Sequence, residues 1–398
     1  MQKFTLLLLS LVLLAPLGID LYLPTLPEIA VGLNTPISKI QTTIPIFLLV
    51  MGIGQLVAGP LVDNLGRKPM ALAGLLLYLL GSILAATATG WLPFLAARVV
   101  QGCAVCCTAV VAFSGVRDRL DGDEAARAYG FLNGALNIVP ALAPMLGGFL
   151  AEVFGWRAPF WFLTGYALVI GILVVCFLPE TRPTGTVAVK SIPLRQYGAI
   201  LRQPSFLAFA CANAGAMGMV LTYVSLAPHV LMNEGKLNAL QFSIAFGVNG
   251  FWIMLVSMLV NKMIRKLGRP ICLAIGSLAM ALGALTLAGG MMVMPTAWQN
   301  SWPLYMIPVA IAVAGLAFTV GPATSYALAP YKQQAGVASA LNGFIQMAGG
   351  SSAGLLMMAL PLAEKSALAL MMVVGAILTG LAWAYSRKVR GTLTALNT

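Results

Sequence analysis

The sequence has little charge, few acids and a single histidine. Only 9% of its residues are Asp, Glu, Lys or Arg, whereas a soluble domain carries about 25%. It offers no set of His, Ser and Cys side chains that catalysis would need. These shortages exclude an ordinary soluble enzyme and argue against a membrane enzyme.

Long apolar runs take the place of charge. Hydrophobic residues make up 60% of the chain, and runs of about 18 or more residues are long enough to cross a hydrocarbon core. The runs are continuous, whereas transmembrane strands would alternate in polarity. The sequence therefore predicts an all-α membrane protein with twelve spans, at about 4–24, 42–62, 70–90, 93–114, 127–150, 159–178, 205–227, 240–260, 271–294, 303–328, 337–360 and 367–385.

The basic residues are distributed as in a multi-pass membrane protein. The net charge is +12, but the cations lie in short clusters between apolar runs, so nucleic-acid binding is not expected. Eighteen Lys and Arg residues fall in segments on the side of the N-terminus and four on the other. The positive-inside rule then predicts that both termini are cytoplasmic, in a bacterial cytoplasmic (inner) membrane. The first apolar run lacks the features of a cleavable signal peptide and is predicted to be a span.

The six cysteines all fall within apolar runs. Cys103, Cys106 and Cys107 share a helical face, a spacing that a metal site could use. Zinc normally takes four ligands, however, and the only histidine, His229, lies in another segment. Packing residues are the favoured interpretation, and we expect no metal and no cofactor.

The longest polar stretch divides the predicted spans six and six. It predicts an N-terminal bundle (1–178), a cytoplasmic linker (179–203) and a C-terminal bundle (204–398). The halves are weakly repeated, because Leu65-Gly66-Arg67 resembles Leu267-Gly268-Arg269 about 200 residues later. Two like halves with a site between them are typical of transporters.

Asp20 is the only acid within a predicted span, and Arg98 is the only base. A charged, unpaired carboxylate in a membrane is costly and is rare without a function. The two side chains are predicted at similar depths, where they could meet directly or through water or Gln101. Arg98 and Gln101 share one helical face. Proton coupling is our preferred interpretation; a helix cap at Asp20 and a structural ion pair stay open.

Two glycine-containing segments are candidates for regions that change conformation. The loop at 59–68 carries Asp63, Gly66 and Arg67, a tight turn with charges that could latch one conformation or only set orientation. Span five carries two prolines followed by a pair of adjacent glycines, a pattern that favours a bent helix packed closely on a neighbour or else a tolerated kink. These four residues are Pro140, Pro144, Gly147 and Gly148.

Aromatic and amide residues within the spans are the candidates for substrate binding. Some of the amides form stripes at i, i+4, which bind substrate or else hydrogen-bond between helices. An aromatic and Met-rich pocket suits varied, largely uncharged amphiphiles. The candidates are Tyr22, Asn133, Asn137, Tyr223, Phe251, Asn342 and Gln346.

Several of these segments resemble one family over essentially the whole chain. The sequence resembles the major facilitator superfamily, and within it the twelve-span drug:proton antiporters of the Bcr/CflA type. The first half carries the more specific matches. The matching segments are 18–27, 59–69, 98–102, 117–121, 132–148 and 179–183, with 225–232 and 336–343 in the second half.

The resemblance implies a major facilitator fold of two six-helix bundles that exchanges protons for drugs. It makes Asp20 the proton-linked acid, and Arg98, Gln101 and Gly102 the span-four motif. The partners it implies are small drug molecules such as chloramphenicol-like phenicols, protons and the lipid bilayer, with the protein a monomer. A metabolite carrier on the same fold is the alternative.

The sequence departs from the family pattern at three places. Asn64 stands where the loop motif usually has Arg, and Ala143 precedes Pro144 where Gly is usual. Val12 occupies the region where some relatives carry a second membrane acid. With one predicted membrane carboxylate, we expect neutral or weakly charged substrates.

Overall fold

The computed structural model describes residues 2–182 and 193–395, in which helices dominate and no strand occurs. The chain divides into two compact units. The first comprises Met1–Ile192 with Leu237–Phe251, and the second comprises Pro193–Lys236 with Trp252–Thr398. Each unit is described by itself below.

Eighteen α-helices lie in the described residues. The first unit contains α1 to α9, which are Gln2–Val12, Leu14–Asp20, Leu26–Gly32, Ile37–Gln41, Thr43–Leu65, Arg67–Ala86, Trp91–Arg119, Gly122–Phe154 and Ala158–Phe177. The helices that follow, α10 to α18, are Leu194–Leu201, Pro204–Pro228, Ala239–Leu267, Arg269–Val293, Thr296–Gln299, Trp302–Leu328, Ala335–Phe344, Gly350–Ala359 and Glu364–Ala395. Helix α12 (Ala239–Leu267) begins in the first unit and ends in the second.

Most of the predicted spans appear as long apolar helices. By length and composition, ten helices of the described residues could each cross a membrane, or eleven if the bent helix α8 is one span. The predicted eleventh crossing, at 337–360, is divided into α16, a π-helical turn at Ile345–Gly349 and α17. The wider π-turn interrupts the regular helical hydrogen bonding, and hydropathy alone does not reveal such a break.

The first predicted span is also broken. Helix α1 ends at Val12, α2 ends at Asp20, and a 3₁₀ turn at Leu23–Thr25 leads into α3. Pro24 cannot donate the backbone hydrogen bond that a continuous helix would need there. The helical path runs on to Gly32, eight residues beyond the predicted end at 24. The break places a turn, at Leu21 and Tyr22, directly after Asp20.

The weak repeat in the sequence has a counterpart in backbone geometry. Gly66 has φ 101° and ψ 161°, and Gly268 has φ 81° and ψ 163°. Side chains rarely adopt a positive φ, so glycine is favoured at both turns. Each glycine directly precedes a helix that begins with arginine, at Arg67 and at Arg269. The two halves therefore make the same turn at the repeated sequence.

The predicted linker (179–203) is only partly described. Its described residues include Glu180 and Arg182 at one end and α10 at the other. Residues 183–192 lie outside the described part of the chain. Helix α10 belongs to the second unit, with Tyr197 and Ile200 buried there.

Candidate transport site

Asp20 lies at the C-terminal end of α2 and is 6% exposed. Its carboxylate forms no ion pair and no hydrogen bond with the described residues. A buried carboxylate without a partner is destabilised when it is charged, because it has lost its hydration. Binding and releasing a proton is chemistry that suits such a group.

Arg98 is fully buried on α7 and contacts the backbone of α2. Its Nη2 donates a hydrogen bond of 2.7 Å to the carbonyl oxygen of Gly18, two residues before Asp20. Its Nη1 donates to Oε1 of Gln101. The structure therefore joins Arg98 and Gln101 as the shared helical face predicted, and it links them to the backbone beside Asp20.

Two aromatic rings enclose the guanidinium group of Arg98. Its central carbon lies 4.5 Å from the ring centroid of Tyr22 and 4.6 Å from that of Phe47. Aromatic faces stabilise a cation that has left water. The hydroxyl group of Tyr22 lies 3.0 Å from Oγ1 of Thr43. Tyr22, a predicted substrate residue, is thus fully buried against Arg98.

A second layer of hydrogen bonds fixes this arrangement. Gln101 donates through Nε2 to Oγ of Ser82 at 2.8 Å, and Ser82 donates to the carbonyl oxygen of Tyr78. Tyr78 in turn donates to the carbonyl oxygen of Leu14 at 2.9 Å. Sequence reasoning did not single out Ser82, Tyr78, Phe47 or Thr43. Isolated polar residues in apolar helices carry little signal of which distant group they contact.

Helix α8 bends where its first proline removes a backbone bond. The axis turns by 40° between Arg127–Leu136 and Ile138–Phe154. Pro140 lacks an N–H to donate to the carbonyl oxygen of Leu136, and its ring clashes with that group. The side chains of Asn133 and Asn137, two of the predicted substrate residues, lie outside the described residues.

Beyond the bend, α8 packs through small residues. The Oγ of Ser243 on α12 donates to the carbonyl oxygen of Pro144 at 2.9 Å. A Cβ at Gly148 would lie 2.8 Å from that same Oγ. At Gly147, an added Cβ would overlap the carbonyl oxygen of Leu21, in the break after Asp20. The predicted close packing is therefore present, and it reaches the backbone next to the buried acid.

The predicted latch residues form a connected group at the start of α6. Arg67 contacts Oδ1 of Asp63 at 2.9 Å through Nη2 and Oδ2 of Asp118 at 2.7 Å through Nε. Asp118 is nearly as buried as Arg67. Gly66 makes the turn that brings Arg67 to these acids. Asp118 was not among the predicted latch residues, although its segment 117–121 had been singled out.

Glu180 caps the helix that Arg67 begins. It accepts hydrogen bonds from the backbone N–H groups of Arg67 at 2.9 Å, Lys68 at 3.1 Å and Arg182 at 2.8 Å. Partial burial acts to raise the pKa of Glu180, but these backbone hydrogen bonds outweigh it, so the pKa lies below its usual range. A carboxylate at a helix N-terminus also gains from the helix dipole. Asp63 contacts the side chain of Arg67.

Replacing Arg67 by alanine should destabilise the first unit. Asp118 would lose its close partner, and removing one member of a buried pair costs about 3–5 kcal/mol. Arg117→Ala is the matched control, since Arg117 is 61% exposed and lies 3.7 Å from the same carboxylate. Thermal unfolding of both variants in detergent measures the difference. Equal melting temperatures for the two variants would contradict this role of Arg67.

The second repeated turn lacks this acid network. Four residues before Arg67 stands Asp63, whereas four residues before Arg269 stands Arg265. Arg269 donates to Oγ of Ser325 at 2.9 Å, and its guanidinium lies 4.3 Å from the ring centroid of Tyr326. The backbone turn is repeated, but the carboxylate contacts described above belong to the first unit.

The candidate substrate residues of the second unit have different environments. Asn342 is buried and its Oδ1 accepts a hydrogen bond of 3.2 Å from Asn213, which also donates to Thr324. Gln346 lies in the π-helical turn and is half-buried. Sequence reasoning missed Asn213, an amide on α11 that the fold brings to Asn342.

The other two candidates differ in exposure. Tyr223 is buried, and its backbone carbonyl oxygen accepts a hydrogen bond of 3.2 Å from Tyr305. Phe251 is exposed on α12, the last residue of the first unit. Burial of Tyr223 favours a packing role in this structure, while Phe251 stays available for contacts.

The family of the chain follows from comparison with known proteins. Residues 8–354 match the Major Facilitator Superfamily. The chain therefore belongs to the major facilitator superfamily, and it is a multi-pass membrane transporter and not an enzyme.

Its relatives include proteins named Multidrug resistance protein MdtL. The one from Klebsiella pneumoniae is 33% identical over 356 residues, covering 88% of this chain and 87% of that protein. The one from Citrobacter koseri is 31% identical over 354 residues, with the same coverage of each chain.

Solved structures share the fold at low sequence identity. A D-xylose–proton symporter has a TM-score of 0.74 and 15% identity, covering 95% of this chain and 96% of that one. A peptide transporter, POT, has a TM-score of 0.76 and 14% identity, covering 97% and 93%. These likenesses show the major facilitator fold alone.

Proposed function

We propose that the protein is a proton-driven exporter of small amphiphilic drugs, with chloramphenicol-type phenicols among its substrates. The observation that carries this proposal is the likeness to multidrug resistance proteins, at 31–33% identity over 88% of the chain. A likeness of that extent favours a shared kind of substrate, since the relatives are covered almost end to end. Neutral phenicols fit the scarcity of acids in the predicted spans.

The environment of Asp20 supports the proton-coupled part of the proposal. Its carboxylate is buried and has no partner among the described residues. It lies beside the break after α2, the helix whose Gly18 carbonyl oxygen accepts a hydrogen bond from Arg98. Protonation removes the charge that this environment opposes. Helix α2 ends at Asp20, and a turn at Leu21 and Tyr22 leads into the 3₁₀ segment, so a change at Asp20 acts at the junction of two helical segments.

The mechanism we propose is alternating access with antagonism between proton and drug. Asp20 takes a proton from the outer side, and drug binding on the inner side favours its release. Coupling requires that proton and drug stabilise different conformations. Arg98 and Gln101 position the backbone at Asp20, while the group of Asp63, Gly66 and Arg67 stabilises one of the two conformations.

Substrate contacts are assigned by the same proposal. In the second unit, the candidates are the amide groups of Asn342 on α16 and of Gln346 in the π-helical turn. In the first unit, the candidates are Asn133, Asn137 and Phe251. Amides offer both donors and acceptors, which suits the hydroxyl and amide groups of a phenicol.

We place the protein in the bacterial cytoplasmic membrane as a monomer with both termini in the cytoplasm. The supporting observation is the excess of Lys and Arg in segments on the side of the N-terminus. The basic ends of α7 and α12, with Arg117, Arg119, Arg265 and Lys266, lie on that predicted cytoplasmic side.

Chloramphenicol accumulation in drug-sensitive cells tests the proposal. Cells with the protein in their membrane should accumulate less drug than cells without it, and a protonophore should remove the difference. The measurement is initial uptake of labelled chloramphenicol, with membrane abundance determined on the same cells.

Two other outcomes would replace the proposal. Unchanged accumulation with the protein present in the membrane would favour a carrier of a metabolite such as a sugar, purine or amino acid. Drug accumulation that rises with the proton gradient would indicate a symporter on the same fold.

A further inference from the structure

The only histidine of the chain lies in a charged cluster of the second unit. His229 begins a π-helical turn, His229–Glu234, which directly follows α11. Its Nδ1 lies 2.9 Å from Oε2 of Glu364, the first residue of α18. Both side chains are partly exposed, 27% for His229 and 23% for Glu364. A partly exposed histidine–carboxylate pair therefore joins two separate segments.

A second pair lies at the same place. Lys365 contacts Oε2 of Glu234 through Nζ at 2.8 Å. The same Nζ donates to the carbonyl oxygen of Gln299 at 2.7 Å and to Oδ1 of Asn300 at 3.0 Å. Lys365 thus ties the end of the π-helical turn and the region after α14 to the start of α18.

Other titratable groups face the histidine from the elements packed around it. Glu234 lies on its own turn, and Glu364 and Lys365 lie on α18. Tyr305 on α15 is fully buried near both acids, and Tyr223 on α11 is next to it. The ion pairs of the cluster are formed by two acids, one lysine and the histidine, and Lys236 is an exposed cation two residues after Glu234.

Protonation of His229 changes the strength of its contact with Glu364. Glu234 is paired with Lys365, whereas Glu364 contacts an imidazole whose charge depends on pH. A proton on the imidazole turns this contact into a charge-assisted hydrogen bond, the stronger kind. Histidine is the side chain that makes this change between about pH 5 and 8.

We propose that His229 and Glu364 form a second proton-binding site, at the predicted outer end of the second unit. Its ligand is a proton from the outer solution. Glu364 accepts the hydrogen bond of the protonated ring, and Lys365 with Glu234 keeps the segments in place. The site lies in the second unit and Asp20 in the first, so the two are different sites on the chain.

Occupancy of this site controls how firmly the π-helical turn is attached to α18. A protonated His229 strengthens the link between the turn that ends α11 and the last helix. Loss of the proton weakens that link while the Lys365 contacts remain. The transport rate therefore depends on the outer pH through this site as well as through the proton gradient that drives transport. This inference rests on the proposed transport function.

The presence of one histidine makes the site directly measurable. Protein labelled with ¹³C and ¹⁵N only in histidine, and purified through a tag without histidine, gives a single imidazole signal. We expect one titration step between about pH 5 and 9. Glu364→Gln keeps a hydrogen-bonding group but removes the charge. It should shift the midpoint of the His229 imidazole titration by about one pH unit.

Glu152→Gln is the matched control for this titration. Glu152 is an exposed acid of the first unit, and the same chemical change there should leave the midpoint where it is. A ring that does not titrate in this range would overturn the proposal. Equal midpoints for Glu364→Gln and Glu152→Gln would also overturn it.

A transport measurement tests the consequence. Chloramphenicol exchange in proteoliposomes, with equal pH on both sides, removes the proton gradient as a driving force. The wild-type rate should differ at least about fivefold between pH 6 and pH 8, the lower end of typical coupling. His229→Gln should flatten this profile while eluting as a monodisperse protein on size exclusion.

An unchanged profile in His229→Gln would refute control of transport by this site. Absence of chloramphenicol exchange in the wild type would instead count against the proposed substrate, and the imidazole titration would still test the proton-binding site. The failures of the two proposals are therefore distinguishable.

Discussion

Replacing Asp20 by asparagine should abolish proton-driven drug efflux while leaving the protein folded. Asparagine has nearly the same size and is neutral, so it fits the buried position at the end of α2 and cannot exchange a proton. The variant resembles the protonated state permanently. Coupling between two ligands is typically worth about 1–3 kcal/mol, or about 5–150-fold in affinity. Because Asp20→Asn cannot bind a proton there, its drug efflux should no longer depend on the proton gradient.

Accumulation of labelled chloramphenicol, with and without a protonophore, measures this effect. Asp121→Asn is the matched control, because Asp121 is an exposed acid just before α8. The control should export drug like the wild type. Wild-type active efflux by Asp20→Asn would exclude Asp20 as the coupling site, whatever the behaviour of the control.

Replacing Gly147 by alanine should have the second large effect. Its added methyl group would overlap the carbonyl oxygen of Leu21 and would lie 2.6 Å from the carbonyl carbon. Both atoms are backbone, so no side chain can rotate away. Overpacking costs about 1–3 kcal/mol and occasionally more. Here the strain falls on the break beside Asp20, so activity should fall along with stability.

Gly134→Ala on the same helix is the control for Gly147→Ala. An added Cβ at Gly134 meets nothing within 4 Å, and alanine favours a helix. Melting temperature in detergent and drug efflux in cells should both fall for Gly147→Ala and stay unchanged for Gly134→Ala. Equal behaviour of the two variants would show that the contact with Leu21 does not restrict the helix.

Much of the architecture could be predicted from local sequence. Apolar runs such as the one that becomes α13, Arg269–Val293, predicted membrane-spanning helices because hydropathy is a property of neighbouring residues. The repeated glycines, Gly66 and Gly268, predicted two like turns, and both have a positive φ. The family also followed from local segments, and comparison confirmed it.

Breaks within the helices were harder to predict. The interruptions after Asp20 and at Ile345–Gly349 lie inside runs that are mostly apolar. Proline gave a signal at the first break through Pro24, but the π-turn has no residue type that marks it. Such turns are stabilised by neighbouring helices, which a linear pattern does not contain.

The sequence by itself determined where most of the long apolar helices form, which arginine and which acid lie within predicted spans, and where the repeated turns fall. Only the tertiary structure decided that Arg98 bonds the carbonyl group of Gly18, 80 positions away in the chain. It alone placed Gly147 against Leu21 and Glu364 against His229. Hydropathy and turn chemistry act over a few residues, whereas partners of buried polar groups are set by how distant helices pack.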